Sequence, residues 1–311
     1  MSVLLQADLS FPLFRRGKVR DVYDLGDKLL IVSTDRISAF DFVLPCGIPD
    51  KGKVLNQLSA FWFEKTAHIE PNHFINVIDS LDMLQDVIAS RSPERSEGAA
   101  KQSLGKLPDY LIGRSMIVAK AERIPVECVV RGYLSGSAWA QYKETGTISS
   151  IHLPSGMKES QELSQPIFTP TTKSETEHDC PLTNQDIESL GIKDLMAELE
   201  QKSLLIYRYA QDYAKAKGII IADTKFEFGL INGELALIDE LLTPDSSRFW
   251  DAGQYEVGHS QPSFDKQPVR DWLTASGWNK EPPVPMLPPE VIEATTRRYN
   301  KIYQLFTGKC I

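Results

Sequence analysis

The stretch IIIADTKFEFGLINGELALIDELLTPDSSRFW, residues 219–250, is the most informative in this 311-residue chain. Four apolar residues, Ile219 to Ala222, open it as a buried strand, after which Asp223, Lys225 and Glu227 fall on one face and Thr224, Phe226 and Phe228 on the other. Asn232-Gly233 predicts a turn, and the chain returns through Leu235 to Glu240, the pattern of an antiparallel hairpin. A row of charges on a core strand is costly unless it faces a solvated cleft, a metal or its own counter-charges. The competing reading is a surface ladder of Lys225 with its acidic neighbours.

The returning strand ends in Asp239-Glu240, and a hard cation such as Mg²⁺ takes carboxylate oxygens together with phosphate oxygens and water. Glu227 with Asp239 is the expected metal pair. Register bears on this. A two-residue Asn232-Gly233 loop sets Asp239 opposite Phe226, on the wrong face, whereas a three-residue loop from Ile231 to Gly233 sets it opposite Lys225 and diagonal to Glu227. The metal pair therefore predicts the odd-length loop.

Upstream, residues 186–217 carry long helical signals that stop at Gly218, a suitable residue just past a helix end. Residues 149–180 are turn-rich and long for a connection, which marks a functional loop or a disordered one. Ser115 to Lys120 and Val126 to Tyr133 read as strands around an Ile124-Pro125 break, and a helix is expected from Ser137 to Thr145. A lobe boundary falls here, dividing the chain into 1–122, rich in β structure, and 123–311. Near the amino terminus, Val19 to Tyr23, a Gly26-Asp27 turn and Leu29 to Ser33 form a second hairpin pattern. A helix follows from Lys53 to Ala67, with Leu55, Leu58, Trp62 and Lys65 at helical spacing. Ser90 to Leu107 reads as a mobile loop, and the Pro-rich run 281–289 leads into an amphipathic helix, 290–307. The fold class is α+β.

Several cations suit an anionic ligand. In GKVRDVYDLGD, from Gly17, a glycine lets backbone N–H groups approach a phosphate beside Lys18 and Arg20, although an ordinary hairpin with exposed cations fits the same residues. Arg131, Arg248, Lys266 and Arg270 suit a substrate bearing carboxylate and phosphate if they converge. Ser135-Gly136-Ser137 can begin a helix with its N–H groups free for an anion. Lys173, His178 and Asp179 are candidate catalytic or positioning groups, although a hydrogen-bonded loop fits them equally, and Asp41 is a strand-end carboxylate or part of an N-capping stretch.

The formal charge of −8 argues against a nucleic-acid backbone or an anionic membrane as the main partner. The four cysteines are scattered without metal-ligand spacing, which fits a reduced compartment. No window approaches the roughly 20 apolar residues of a membrane span, and no leader pattern opens the chain, so a cytoplasmic location is expected. A monomer is compatible with the sequence.

The chain resembles the phosphoribosylaminoimidazole-succinocarboxamide synthase (SAICAR synthetase) family. GKVRDVYD, STDRISAFD, IPVECVVRGYLSGSAW, FTPTTKSETEHD, ADTKFEFG, LIDELLTPDSSRFW and SFDKQPVRDWL look like its motifs, in family order and over nearly the whole chain. The resemblance implies an ATP-grasp-like fold: a small kinase-like antiparallel β lobe, a larger α/β lobe and a nucleotide site between them. It also implies a ligase that joins carboxyaminoimidazole ribotide to L-aspartate, using ATP and two Mg²⁺ ions. Gly17, Lys18, Val19 and Arg20 would then hold ATP phosphates, with Lys120 beside the adenine. Glu227 and Asp239 would ligate metal. Lys225, Asp223 and Asp41 are the expected catalytic residues, with Lys225 also touching phosphate. Arg131, Ser137, Arg248, Lys266 and Arg270 would bind the ribotide or the aspartate. A small-molecule kinase and a non-catalytic nucleotide-binding module are the rival readings.

Overall fold

A computed structural model describes residues 3–89, 107–173 and 180–311. The mobile loop expected before Leu107, and His178 with Asp179, lie outside the described residues. The fold is mixed α/β with antiparallel sheets, and the chain divides into two compact units. The first comprises Met1–Phe63, His73–Lys120 and Pro268–Ile311; the second comprises Glu64–Asn72 and Ala121–Gln267.

In the first unit, strands β1 (Leu13–Arg16), β2 (Arg20–Asp24) and β3 (Lys28–Ser33) form a meander, while β4 (Arg36–Ala39) and β5 (Phe42–Gly47) make a separate pair. With β6 (Phe74–Val77) and β7 (Ser115–Ala119), the main sheet has the order β1-β2-β3-β7-β6. The Gly26 turn is as expected, with φ at +89° where a side chain would strain the backbone. Helix α1 (Lys51–Thr66) buries Leu55, Leu58 and Trp62 and exposes Lys65, the stripe its spacing predicts. Helix α2 (Leu81–Ala89) adds Leu84 to a core with Tyr23, Leu30, Val32 and Ile117.

The second unit is built on two long strands. Strand β8 (Glu122–Tyr133) runs through Pro125 without the expected break. Glu127 faces Glu227 and Arg123 faces Gly229, so residues 124–126 form a bulge, where a missing N–H costs the ladder nothing. Helix α3 (Gly136–Thr145) and a short pair, β9 (Thr147–Ile148) with β10 (Ile151–His152), follow. The region read as a long loop contains β11 (Glu162–Phe168) and β12 (Thr171–Thr172), both paired with β8. Strand β11 is the sheet edge, the position that tolerates its Pro166. The helical signal splits at Gly191 (φ +66°) into α4 (Asn184–Ser189) and α5 (Lys193–Lys215).

Strands β13 (Ile219–Ile231), β14 (Glu234–Ile238) and β15 (Ser247–Asp251) complete the sheet β11-β8-β13-β14, with β15 beside β13. Helix α5 buries Leu199, Ser203, Ile206, Tyr207, Ala210 and Ala214 and packs on β13 and β8. That contact explains the alternation. Thr224, Phe226 and Phe228 are fully buried, leaving Asp223, Lys225 and Glu227 to the sheet's other face.

Helices α6 (Gln267–Ala275) and α7 (Pro289–Thr307) end the chain. Residues 268–311 belong to the first unit, together with the segments that end at Phe63 and Lys120. Val269, Leu273 and Leu287 share a buried cluster with Ile37, Ala39, Leu44 and Ile48, and Phe306 meets Trp62 edge to face. No helix among the described residues is long and apolar enough to cross a membrane.

Candidate active site

Strand register brings three of the candidate residues together in the second unit. Asp223 of β13 lies between Arg131 of β8 and Arg248 of β15. Arg131 Nη1 is 3.4 Å from Asp223 Oδ2, and Arg248 Nη1 donates to the same oxygen. Arg131 also donates through Nε to Thr169 Oγ1 at 3.0 Å and through Nη2 to Ser137 Oγ at 3.5 Å. Asp223 raises the Arg248 pKa, whereas burial lowers that of Arg131 despite the same carboxylate. Two guanidiniums held side by side by one acid retain further N–H groups for a carboxylate or phosphate.

Gly136 makes the arrangement fit. Its φ is +57°, and a Cβ there would lie 2.4 Å from Arg248 Nη2, so the Ser135-Gly136-Ser137 turn starts α3 directly against the guanidinium. Lys266 lies 3.5 Å from Asp245, an ion pair that is nearly buried. Arg270 sits on α6, in the portion of the chain that belongs to the first unit.

Farther along β13, Glu227 faces Glu127 of β8. Lys225 donates to Glu127 Oε2 at 2.6 Å, while Lys173 contacts Glu227 and approaches Glu127 Oε1 at 3.7 Å. Burial, followed by the nearby Asp239 carboxylate, raises the Glu227 pKa to about 8, with Lys173 opposing. Glu227 and Asp239 therefore meet, but not by the expected route. The loop is the two-residue Asn232-Gly233, with Ile231 opposite Glu234 and Glu227 opposite Ile238. Asn232 (φ +54°) and Gly233 (φ +85°) form the tight turn that suits strand twist. Asp239, just past the strand end, has φ +69°, and this left-handed residue breaks the alternation that would have turned its side chain away. Among the described residues, no three or more His, Cys, Asp or Glu side chains cluster to hold a metal.

In the first unit, Gly17, Lys18 and Val19 form the turn between β1 and β2, closed by Gly17 N donating to Arg20 O at 2.8 Å. Lys18 pairs with Asp41 at 2.5 Å, both exposed, and Phe40 and Asp41 have φ of +51° and +67°. Lys120 Nζ lies 2.9 Å from Asp24 and over the ring of the exposed Phe14.

Glu127 and Arg36 were not among the sequence candidates. Glu127 was legible through its spacing, since it precedes Arg131 by two strand periods and shares its face. The buried Arg36 had no such signal, because its partners come from distant segments.

The SAICAR synthetase family model matches residues 13–285. The chain belongs to the SAICAR synthetase family. Among SAICAR synthetase relatives, the phosphoribosylaminoimidazole-succinocarboxamide synthase of Thermodesulfovibrio yellowstonii is 48% identical over 309 residues, covering 99% of both chains. That of Geobacter sulfurreducens is 50% identical over 296 residues, or 94% of each. Among solved structures, SAICAR synthase from Saccharomyces cerevisiae complexed with SAICAR has a TM-score of 0.82 at 41% identity, covering 99% of both chains. A SAICAR synthetase in complex with ADP has a TM-score of 0.67 at 27% identity, over 96% of this chain and 98% of that one.

Proposed function

We infer that this chain is the ATP-dependent carbon–nitrogen ligase of de novo purine synthesis that joins carboxyaminoimidazole ribotide to L-aspartate, giving SAICAR, ADP and phosphate. Full-length identity to SAICAR synthetases carries the reading, supported by the paired arginines around Asp223 and the paired carboxylates of Glu227 and Asp239. In this reading the architecture is ATP-grasp-like, with a small β unit resembling that of kinases, and the location is cytoplasmic. The substrates are small molecules, and a monomer suffices.

A carboxylate is a poor electrophile until phosphoryl transfer makes it an acyl phosphate, so the protein's task is positioning and charge stabilisation. Lys18 and Arg20, with the amides of Lys18 and Val19 in the Gly17 turn, bind ATP phosphates, and Lys120 lies beside the base. Arg131, Ser137, Arg248, Lys266 and Arg270 hold the anionic groups of the ribotide and aspartate, while Asp223 orients the first and third of these. Lys225 offsets developing charge, and Asp41 holds Lys18 in place between turnovers. Glu227 and Asp239 suit Mg²⁺, because the two carboxylates converge and their proximity helps raise the Glu227 pKa, which calls for a cation, and Lys173 already answers part of that demand. When bound, Mg²⁺ supplies charge neutralisation at the phosphates.

The test is Glu227→Gln assayed for SAICAR by mass spectrometry, with circular dichroism to confirm the fold. Product formation should vanish in a folded protein, and near-wild-type turnover overturns the metal assignment. ADP release must also depend on L-aspartate. Release that is indifferent to the amine indicates a kinase instead.

A further inference from the structure

The turn at Gly17 is held from beneath by a buried arginine remote in sequence. Arg36 is 8% exposed, and its guanidinium donates from Nη2 to Gly17 O at 2.9 Å, from Nε to Lys18 O at 3.0 Å and from Nη1 to Leu5 O at 2.6 Å. Thr34 takes the next carbonyl, with its N and Oγ1 donating to Val19 O at 3.0 and 2.7 Å. Arg20 O accepts from Gly17 N at 2.8 Å. Four successive carbonyls are thus occupied, while the N–H groups of Lys18 and Val19 have no hydrogen-bond partner among the described residues. A peptide whose carbonyl is fixed inward has its N–H fixed outward, since the unit is planar. Arg36 is itself anchored by Asp21, which accepts from its Nη2 at 2.9 Å and also from Arg16 Nε at 3.2 Å and Ala7 N at 2.8 Å.

We propose that Arg36 is a positioning residue for nucleotide phosphates: by gripping the Gly17 and Lys18 carbonyls it presets the turn's amides toward the β- and γ-phosphates. The proposal rests on the reading that the Gly17 turn holds those phosphates. An ion pair serving stability alone needs only the Asp21 contact, and the two donations to consecutive turn carbonyls go beyond it. Arg36→Lys keeps the charge but cannot span both carbonyls, and Asp21 retains Arg16, so the acid is not left alone.

The experiment compares wild type, Arg36→Lys and Lys18→Ala by calorimetric titration with ADP, a non-hydrolysable ATP analogue and AMP, together with melting temperature and KM for each substrate. In Arg36→Lys, affinity for the analogue and ADP should fall about tenfold, with AMP affinity and KM for aspartate unchanged. Equal losses for all three nucleotides, or a lowered melting temperature with unchanged analogue affinity, overturn the proposal. Lys18→Ala separates the two levels. If it leaves analogue affinity intact, the phosphate reading of the turn fails and the proposal with it; if it weakens the analogue while Arg36→Lys does not, only the role of Arg36 fails. Should Arg36→Lys not fold, Arg36→Gln, whose single amide nitrogen cannot hold the Gly17 and Lys18 carbonyls together, should show the same split, and no split overturns the idea.

Discussion

Glu227 carries an unusual proton for a carboxyl group, and its environment explains why. Desolvation beside Asp239 holds the acid protonated up to about pH 8, against 4.5 ordinarily, despite the Lys173 ammonium. The folded chain therefore binds a proton that the unfolded chain releases near pH 4.5, so metal-free stability from this group falls as pH rises from there through 8. A divalent ion must displace that proton. Mn²⁺ or Mg²⁺ affinity, measured by titration calorimetry, should be roughly tenfold weaker at pH 6.5 than at pH 8.5, with proton release at the lower pH. An affinity flat across that range contradicts the site. Asp223, earlier on the same strand, pairs with two guanidiniums and orients them.

The hairpin of β13 and β14 separates turn length from carboxylate placement. Alternation along the strands led to an odd-length loop, because it assumed that Asp239 continues the pleat. The left-handed backbone at Asp239 removes that assumption. Inserting one glycine after Asn232 should then cost only about 1 kcal/mol and leave SAICAR formation largely intact, because the pairing from Ile231 to Glu227 is kept. Asp239→Asn keeps a residue that accepts positive φ and removes the charge, so it should lose activity without loss of melting temperature. Product assays and thermal unfolding on both variants check this. Signals at Asn232-Gly233, Gly218 and the 219–231 alternation were legible because each is local. Strand β11 was not, since its proline reads as a breaker until β8 is seen to cover only one of its edges.

At the scale of the whole molecule, the carboxyl terminus completes the first unit's core. Ending the chain after Gln267 strips Val269, Leu273 and Leu287 from Ile37, Leu44 and Ile48, a loss of roughly 5 kcal/mol or more. Such a truncation should be recovered aggregated or with a sharply lowered melting temperature, as read by circular dichroism and light scattering. A folded truncation with native melting shows that these contacts are dispensable. The sequence alone determined the charged row on a core strand, the principal helices and turns, and the family, because period and turn chemistry act between near neighbours. Tertiary structure alone decided that Arg131 and Arg248 share Asp223, that Glu127 joins Glu227, that Arg36 grips the Gly17 turn and that residues 268–311 belong with the amino-terminal sheet. Each of these depends on register or packing between segments far apart in the chain, which no local pattern encodes.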